Sequence, residues 1–159
     1  MIFLQIILFL AIYTGIIAFA IRDGAINALF FYPKPVQERA FEIGLADRQD
    51  IRRKKVRFMI SFMVVLLVTL LLIIGLWNRV NDFRMAYWPA LIFLEVSNWF
   101  DGIVIDRLWV GHSKFWIIAG TEDIPFVKPW REVLLKRTLA SLVWLVGAAA
   151  VALLVVWIF

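Results

Sequence analysis

Four long stretches of apolar residues divide this sequence, and the charged residues are concentrated in the segments between them. A bilayer core about 30 Å thick requires about 20 consecutive apolar residues for one helical crossing. Each stretch meets that requirement, which predicts an all-α fold: an integral membrane four-helix bundle, with residues 1–159 as a single transmembrane domain. The predicted helices cover residues 2–21, 58–77, 85–109 and 138–159, and two long connections cover residues 22–57 and 110–137.

The first stretch is expected to remain part of the protein as a helix. Ala18, Phe19 and Ala20 have the small-x-small form of a secretory cleavage site. A signal peptide, however, carries positive charge before its apolar run, and no Lys or Arg precedes this one. We therefore interpret residues 2–21 as the first crossing.

The composition agrees with a membrane protein and excludes several other classes. Of the 159 residues, 64% are hydrophobic and 18% are charged, whereas about 25% are charged in a typical soluble domain. A water-soluble globular domain and a disordered chain are thereby excluded. The absence of cysteine excludes a Cys-ligated metal or iron–sulfur site, and the single histidine excludes haem held between two histidines.

Basic residues predict the orientation in the membrane, because cytoplasmic loops retain Lys and Arg during insertion. The connection 22–57 holds nine of the 17 basic residues, the short connection 78–84 holds two, and residues 106–137 hold six. We therefore expect the long connections in the cytoplasm and both termini on the outer side. The net charge of +5 then reflects insertion and contact with anionic lipid headgroups. Membrane lipids are the predicted partners, and nucleic acid is not.

The aromatic residues agree with these boundaries, since Trp and Tyr concentrate at the two membrane interfaces. We expect Trp77, Tyr87 and Trp88 at the outer interface, and Trp109, Trp116 and Trp130 at the inner one.

Both long connections have patterns of their own. In the first, Pro35 and Gly44 bracket a short amphipathic helix over residues 36–43, which we expect on the cytoplasmic membrane surface. Asp47 has the position of an N-cap for a helix that runs through the basic residues 52–57 into the second crossing. In the second, residues 111–126 contain an apolar stretch too short to span, which is expected to fold back under the helices.

The third crossing is the one that carries acidic side chains, and each would cost about 2.5–3.5 kcal/mol at the bilayer centre. At 1.5 Å per residue, Glu95 lies roughly 10 Å from the outer interface and Asp101 roughly 12 Å from the inner one. With α-helical geometry, Glu95, Asn98 and Asp106 share an arc of roughly 80°, and Asp101 lies about 60° beyond Asn98. The sequence thus predicts a polar stripe with Glu95, Asn98, Asp101 and Asp106 as ion- or proton-binding residues. No other helix is expected to offer a partner charge within the membrane.

Five further polar residues would form the cytoplasmic mouth of that stripe: Arg107, His112, Lys114, Glu122 and Asp123. Three hypotheses follow. The carboxylates bind a cation or carry protons in coupled transport; the acids and His112 form an enzyme site acting on a lipid headgroup; or the stripe only fixes helix packing, as in an accessory subunit of a larger membrane complex. A metal at such a site would be a hard ion such as Mg²⁺, Ca²⁺ or Mn²⁺, but no spacing is diagnostic of one.

Two sequence resemblances bear on these hypotheses. Asn98-x-x-Asp101-Gly102 resembles the start of the CDP-alcohol phosphotransferase motif, but Asn replaces the first acid and the later acids are missing, so that activity is not implied. The run Ile105-Asp106-Arg107-Leu108-Trp109, with His112, Lys114, Trp116 and Gly120-Thr121-Glu122-Asp123 after it, resembles a pattern in small four-span bacterial membrane proteins. This resemblance implies the bacterial plasma membrane and assigns no catalytic residues.

Small residues predict close helix contacts. Ala11 and Gly15 in the first stretch, and Ala148 and Ala152 in the fourth, have the spacing that lets helix backbones approach. We expect these two helices to pack together within the chain or across a subunit interface. Since four helices enclose no wide pore, a channel would require a homo-oligomer.

Overall fold

The computed structural model describes all 159 residues, as five α-helices and their connections with no β-strand. The helices are α1 (Ile2–Ile21), α2 (Lys34–Glu42), α3 (Arg48–Trp77), α4 (Phe83–His112) and α5 (Trp130–Ile158). Short 3₁₀ helices cover Ala25–Phe31 and Lys114–Trp116. Four of the helices, α1, α3, α4 and α5, are long and apolar enough to cross a membrane. The predicted all-α four-helix bundle is thus confirmed.

The start of α3 matches the prediction in detail. The Asp47 carboxylate accepts hydrogen bonds from the backbone N–H groups of Gln49 and Asp50, at 2.8 and 2.9 Å. Such a cap satisfies two backbone donors that the first helical turn leaves without partners. The helix then continues through the basic segment without a break, so the cationic side chains stand on a rigid extension of the second crossing.

The two ends of the bundle have different contents. Both termini and the connection 78–82 lie at one end, which we call the terminal end: Gln5 and Asn78 pair through their side-chain amides there, at 2.7 Å from Nε2 to Oδ1. The long connections lie at the opposite end, which we call the loop end. Most basic residues are therefore at the loop end, in agreement with the pattern used to predict orientation.

The terminal half of the bundle is filled by an apolar core. Phe9 of α1 contacts Phe93 of α4 edge to face, with 5.3 Å between ring centroids. The core also contains four fully buried alanines, two from α4 and two from α5: Ala86, Ala90, Ala148 and Ala152. Small side chains let these two helices approach closely, and they form the most extensive helix pair of the bundle.

The predicted pairing of α1 with the last helix is wrong within the chain. Ala11 and Gly15 are exposed on α1, and a Cβ added at Gly15 would meet no atom within 4 Å. Ala148 and Ala152 instead pack with α4, because that helix presents its own alanines at matching spacing.

At the loop end a second apolar cluster joins the connections to the helices. It includes Leu29, Val36, Ile51 and Trp116, so the apolar side of α2 faces protein rather than standing free. Trp116, predicted at the inner interface, is 2% exposed and lies inside this cluster. The segment after α4 therefore folds back under the helices, as expected.

Tyr32 fastens the two connections together. Its hydroxyl donates a hydrogen bond to the backbone carbonyl of Trp116 at 2.7 Å. Burial raises the pKa of this hydroxyl above its usual range, since the ionised form would lose water contacts.

Candidate functional site

The acidic residues of α4 lie where that helix changes its winding. Residues Asp101–Trp109 are π-helical, with hydrogen bonds between residues five apart. An α-helix would place Asp101 and Asp106 about 140° apart around its axis. The wider winding instead brings these two carboxylates to the same face of α4. The predicted angular separation of Asp101 and Asp106 was therefore wrong, because it assumed α-helical geometry throughout.

Arg137 of α5 is the partner of both carboxylates. Its Nη2 contacts Asp101 and lies 2.8 Å from the Asp106 Oδ2. Only 8% of the Arg137 side chain is exposed, against 19% for Asp101 and 21% for Asp106. The expectation that no other helix supplies a partner charge is thus incorrect. It failed because α5 begins at Trp130 rather than Thr138, which places Arg137 two turns inside the helix.

Gly102 makes room for that arginine. A Cβ built at Gly102 would lie 2.8 Å from the Arg137 Nε and 2.9 Å from its Cγ, distances that real Cβ atoms essentially never show. The absence of a side chain at this position therefore lets the Arg137 side chain approach α4 closely.

A hydrogen-bonded chain continues from Arg137 toward the middle of the bundle. The buried Asn98 side chain donates to the Arg137 carbonyl oxygen at 2.9 Å and to the Ser141 hydroxyl at 3.3 Å. The Ser141 hydroxyl in turn donates to Glu95 Oε2 at 2.6 Å. Glu95, Asn98, Asp101 and Asp106 are therefore linked through two residues of α5. The predicted polar stripe is continuous, and α5 covers it.

Two basic residues surround the loop end of this network. Lys128 Nζ lies 3.7 Å from the Asp106 Oδ2, beside the stronger contact with Arg137. Arg107 donates to the Lys128 carbonyl oxygen at 2.6 Å, and its guanidinium carbon lies 4.6 Å from the centroid of the Trp130 ring. Arg107 thus anchors the chain just before α5 and contacts neither carboxylate of the network.

The other residues of the predicted mouth are dispersed on the exposed surface. His112 Nδ1 lies 3.0 Å from the carbonyl oxygen of Leu108 on its own helix. Lys114 is exposed, and the Glu122 carboxylate accepts a hydrogen bond from the Gly120 N–H at 2.8 Å. The Asp123 Oδ2 lies 3.8 Å from the Arg39 Nη2. No three His, Cys, Asp or Glu side chains are grouped closely enough to hold a metal ion. The structure does not gather these residues with Asp101 and Asp106 into the set required by the enzyme hypothesis.

A cavity of about 220 Å³ lies beside the Arg137 network, in the loop half of the bundle. Eleven of its 15 lining residues are hydrophobic, and they come from α1, α3, α4 and the folded-back connections. Its ionic side chains are Asp101, Asp106, Lys128 and Lys136. The cavity is therefore apolar over most of its wall and charged along one side.

The sequence interpretation missed Arg137, Ser141, Lys128 and Lys136. A signal for the first two was present: counting back from Ala148 at helical spacing gives Ser141, Arg137 and Val133, the same stripe that faces α4. The boundary drawn at the last charged residue hid that continuation. Nothing in the sequence indicates the π-helical winding that aligns the carboxylates.

No known protein family, curated protein or solved structure matches this chain. The function is therefore argued from the geometry of the site.

Proposed function

We propose that this protein is a membrane-embedded binding protein that takes an amphipathic molecule into the cavity at its loop end. The observation that carries the proposal is the cavity itself, with an apolar wall and a few charged side chains on one side. Binding sites for small molecules combine these two properties, because apolar walls supply affinity and a few polar groups fix orientation.

The volume limits what the cavity can enclose. Pockets for drug-sized ligands usually have volumes of about 300–1,000 Å³, and this cavity has about 220 Å³. That space suits the polar end of an amphiphile and the beginning of its chain rather than a whole drug-sized molecule.

The carboxylates fit a positioning role better than a free ion site. Asp101 and Asp106 are both bound by Arg137, so an incoming cation would have to displace a buried guanidinium. Held in this way, the network gives the cavity a fixed charged wall. We further propose that the loop end faces the cytoplasm and that the membrane is a bacterial plasma membrane, on the charge pattern and the resemblance described above.

Filling the cavity tests the proposal. Ile105 lines it and is 5% exposed, whereas Leu142 is 61% exposed on α5 and lies outside it. In the purified full-length protein, Ile105→Trp should abolish saturable, one-to-one binding of a fluorescent single-chain amphiphile, while Leu142→Trp should preserve it. Val110 also lines the cavity, so Val110→Trp should abolish binding as well. This second variant distinguishes filling of the cavity from a folding defect caused by Ile105→Trp alone. Unchanged binding in both cavity variants would refute the proposal.

Proton-coupled transport is the second candidate, and Glu95 favours it. This carboxylate has no cationic partner, and Ser141 and Asn98 link it to Arg137 by hydrogen bonds. The apolar core closes the terminal half, so transport would require that half to open. Proton flux into liposomes that is lost on Glu95→Gln would support this function, and flux unchanged by Glu95→Gln would exclude Glu95 as its carrier.

A further inference from the structure

The ionic side chains of the cavity wall, counted together with Arg137, which binds two of them but does not line the cavity, have an excess of positive charge. Asp101 and Asp106 face three cations, Arg137, Lys128 and Lys136, of which the first binds both carboxylates directly. Since both acids are already paired, the cavity has cationic groups to spare and no free carboxylate. A cationic headgroup would meet repulsion here, and an anionic one would meet attraction.

Two donors in the lining have no partner within the protein. Lys136 lines the cavity and forms no ion pair, since Asp101 and Asp106 pair with Arg137 and Lys128. Trp116 is only 2% exposed, and its buried indole Nε1 donates to no acceptor in the protein. Buried donors are nearly always satisfied in folded proteins, so this indole N–H, on a residue that lines the cavity, is available to an acceptor that enters it, such as a ligand oxygen or water.

The lining also reaches the outer surface of the bundle. Met59 of α3 is 43% exposed and Lys136 of α5 is exposed, yet both contribute to the cavity wall. An apolar chain can therefore extend outward past Met59 while a polar group remains beside the cations. A lysine at such a boundary keeps its ammonium near polar groups and lays its apolar stem along the membrane.

We infer that the ligand is an anionic amphiphile, a molecule with an apolar chain and a carboxylate or phosphate headgroup. The headgroup binds Lys136 and Lys128 and accepts a hydrogen bond from the Trp116 indole, and the chain passes between α3 and α5 into the lipid. This assignment rests on the proposed binding function, and it adds the charge of the headgroup and the residues that select it.

The test compares probes that share one chain length and differ in headgroup. Binding of a fatty acid, a lysophosphatidate, a lysophosphatidylcholine and an alkyltrimethylammonium to the full-length protein in bicelles is measured by calorimetry. The two anionic probes should bind about tenfold or more tightly than the others, because one charge-assisted hydrogen bond is worth that factor. Lys136→Gln should lower anionic affinity about tenfold and leave lysophosphatidylcholine affinity unchanged. Lys114→Gln, an exposed lysine outside the cavity, should change neither.

The outcomes separate this inference from the function on which it rests. Equal affinity for all headgroups, with binding still blocked by Ile105→Trp, would overturn the anionic assignment and leave the binding function standing. If the unaltered protein binds none of the probes saturably, both the anionic assignment and the binding function are refuted. Inorganic phosphate should not compete with lysophosphatidate at equal concentration; displacement by phosphate alone would assign the site to a free anion and overturn the amphiphile.

Discussion

Removing the Arg137 guanidinium should destabilise the bundle strongly. The change Arg137→Met keeps an apolar stem of similar length, leaves Asp101 without an ion pair and leaves Asp106 only its longer contact with Lys128. Breaking a buried ion pair by deleting one partner costs about 3–5 kcal/mol, since the remaining charge is desolvated and uncompensated. All three side chains are at most about one-fifth exposed, so screening by water reduces this cost only modestly.

The free energy of unfolding can be followed by circular dichroism during SDS titration in mixed micelles. The decisive comparison is the neutral variant Arg137→Met with Asp101→Asn and Asp106→Asn. It removes the charges of Arg137, Asp101 and Asp106 together and should recover at least half of the loss, because replacing a buried ion pair by neutral groups is often tolerated. Arg52→Met, on the exposed face of α3, is the matched control and should change stability by less than about 0.5 kcal/mol.

Two results would contradict this reasoning. If Arg137→Met unfolds at the same SDS fraction as the unaltered protein, the ion pair contributes nothing to the fold. If the triple variant loses as much stability as the single one, the loss comes from packing around the arginine stem and not from the uncompensated carboxylates.

Two further predictions concern Gly102 and Tyr32. Gly102→Ala should lower the free energy of unfolding by about 1–3 kcal/mol, because the new Cβ meets the Arg137 side chain. Gly15→Ala has open space around it and should be neutral or stabilising. Equal effects of the two substitutions would argue against the close contact at Gly102. Tyr32→Phe should cost about 1–3 kcal/mol at neutral pH by leaving the Trp116 carbonyl unsatisfied. Above pH of about 10, Tyr32 ionises in the unfolded state but stays protonated in the folded state, so the unaltered protein loses stability as pH rises. The difference in the free energy of unfolding between the unaltered protein and Tyr32→Phe should therefore narrow. A gap that stays constant from pH 8 to 11 would contradict the raised pKa.

The helices were predictable because each depends on a local property of the chain. Runs of about 20 apolar residues define the crossings, and Asp47 could be identified as a cap because its side chain acts on residues two and three positions later. The amphipathic α2 and the folded-back segment were likewise recognisable from short patterns.

The network of Arg137 with Asp101 and Asp106 was less predictable because it depends on contacts between distant segments. Arg137 and Asp106 lie 31 positions apart, and nothing local marks one as the partner of the other. A basic residue at the edge of an apolar stretch ordinarily belongs to a loop, which is how Arg137 was interpreted. Ala11 and Gly15 illustrate the converse: their spacing permits a contact, but whether a partner helix is present depends on how the whole bundle packs.

The π-helical turn of α4 affects how this sequence should be compared with others. Its hydrogen bonds join residues five apart, where those of an α-helix join residues four apart, so a relative with one residue fewer between 101 and 106 could wind as an α-helix. When the missing residue lies between 101 and 106, the acid equivalent to Asp106 follows Asp101 by four residues. Four α-helical residues turn about 40° beyond a full circle, so this acid would stay on the face that Arg137 contacts. An alignment without gaps across this turn would therefore pair that acid with Ile105 instead of Asp106. The gap belongs between positions 101 and 106, so that the two acids facing the arginine of the last helix are aligned with each other.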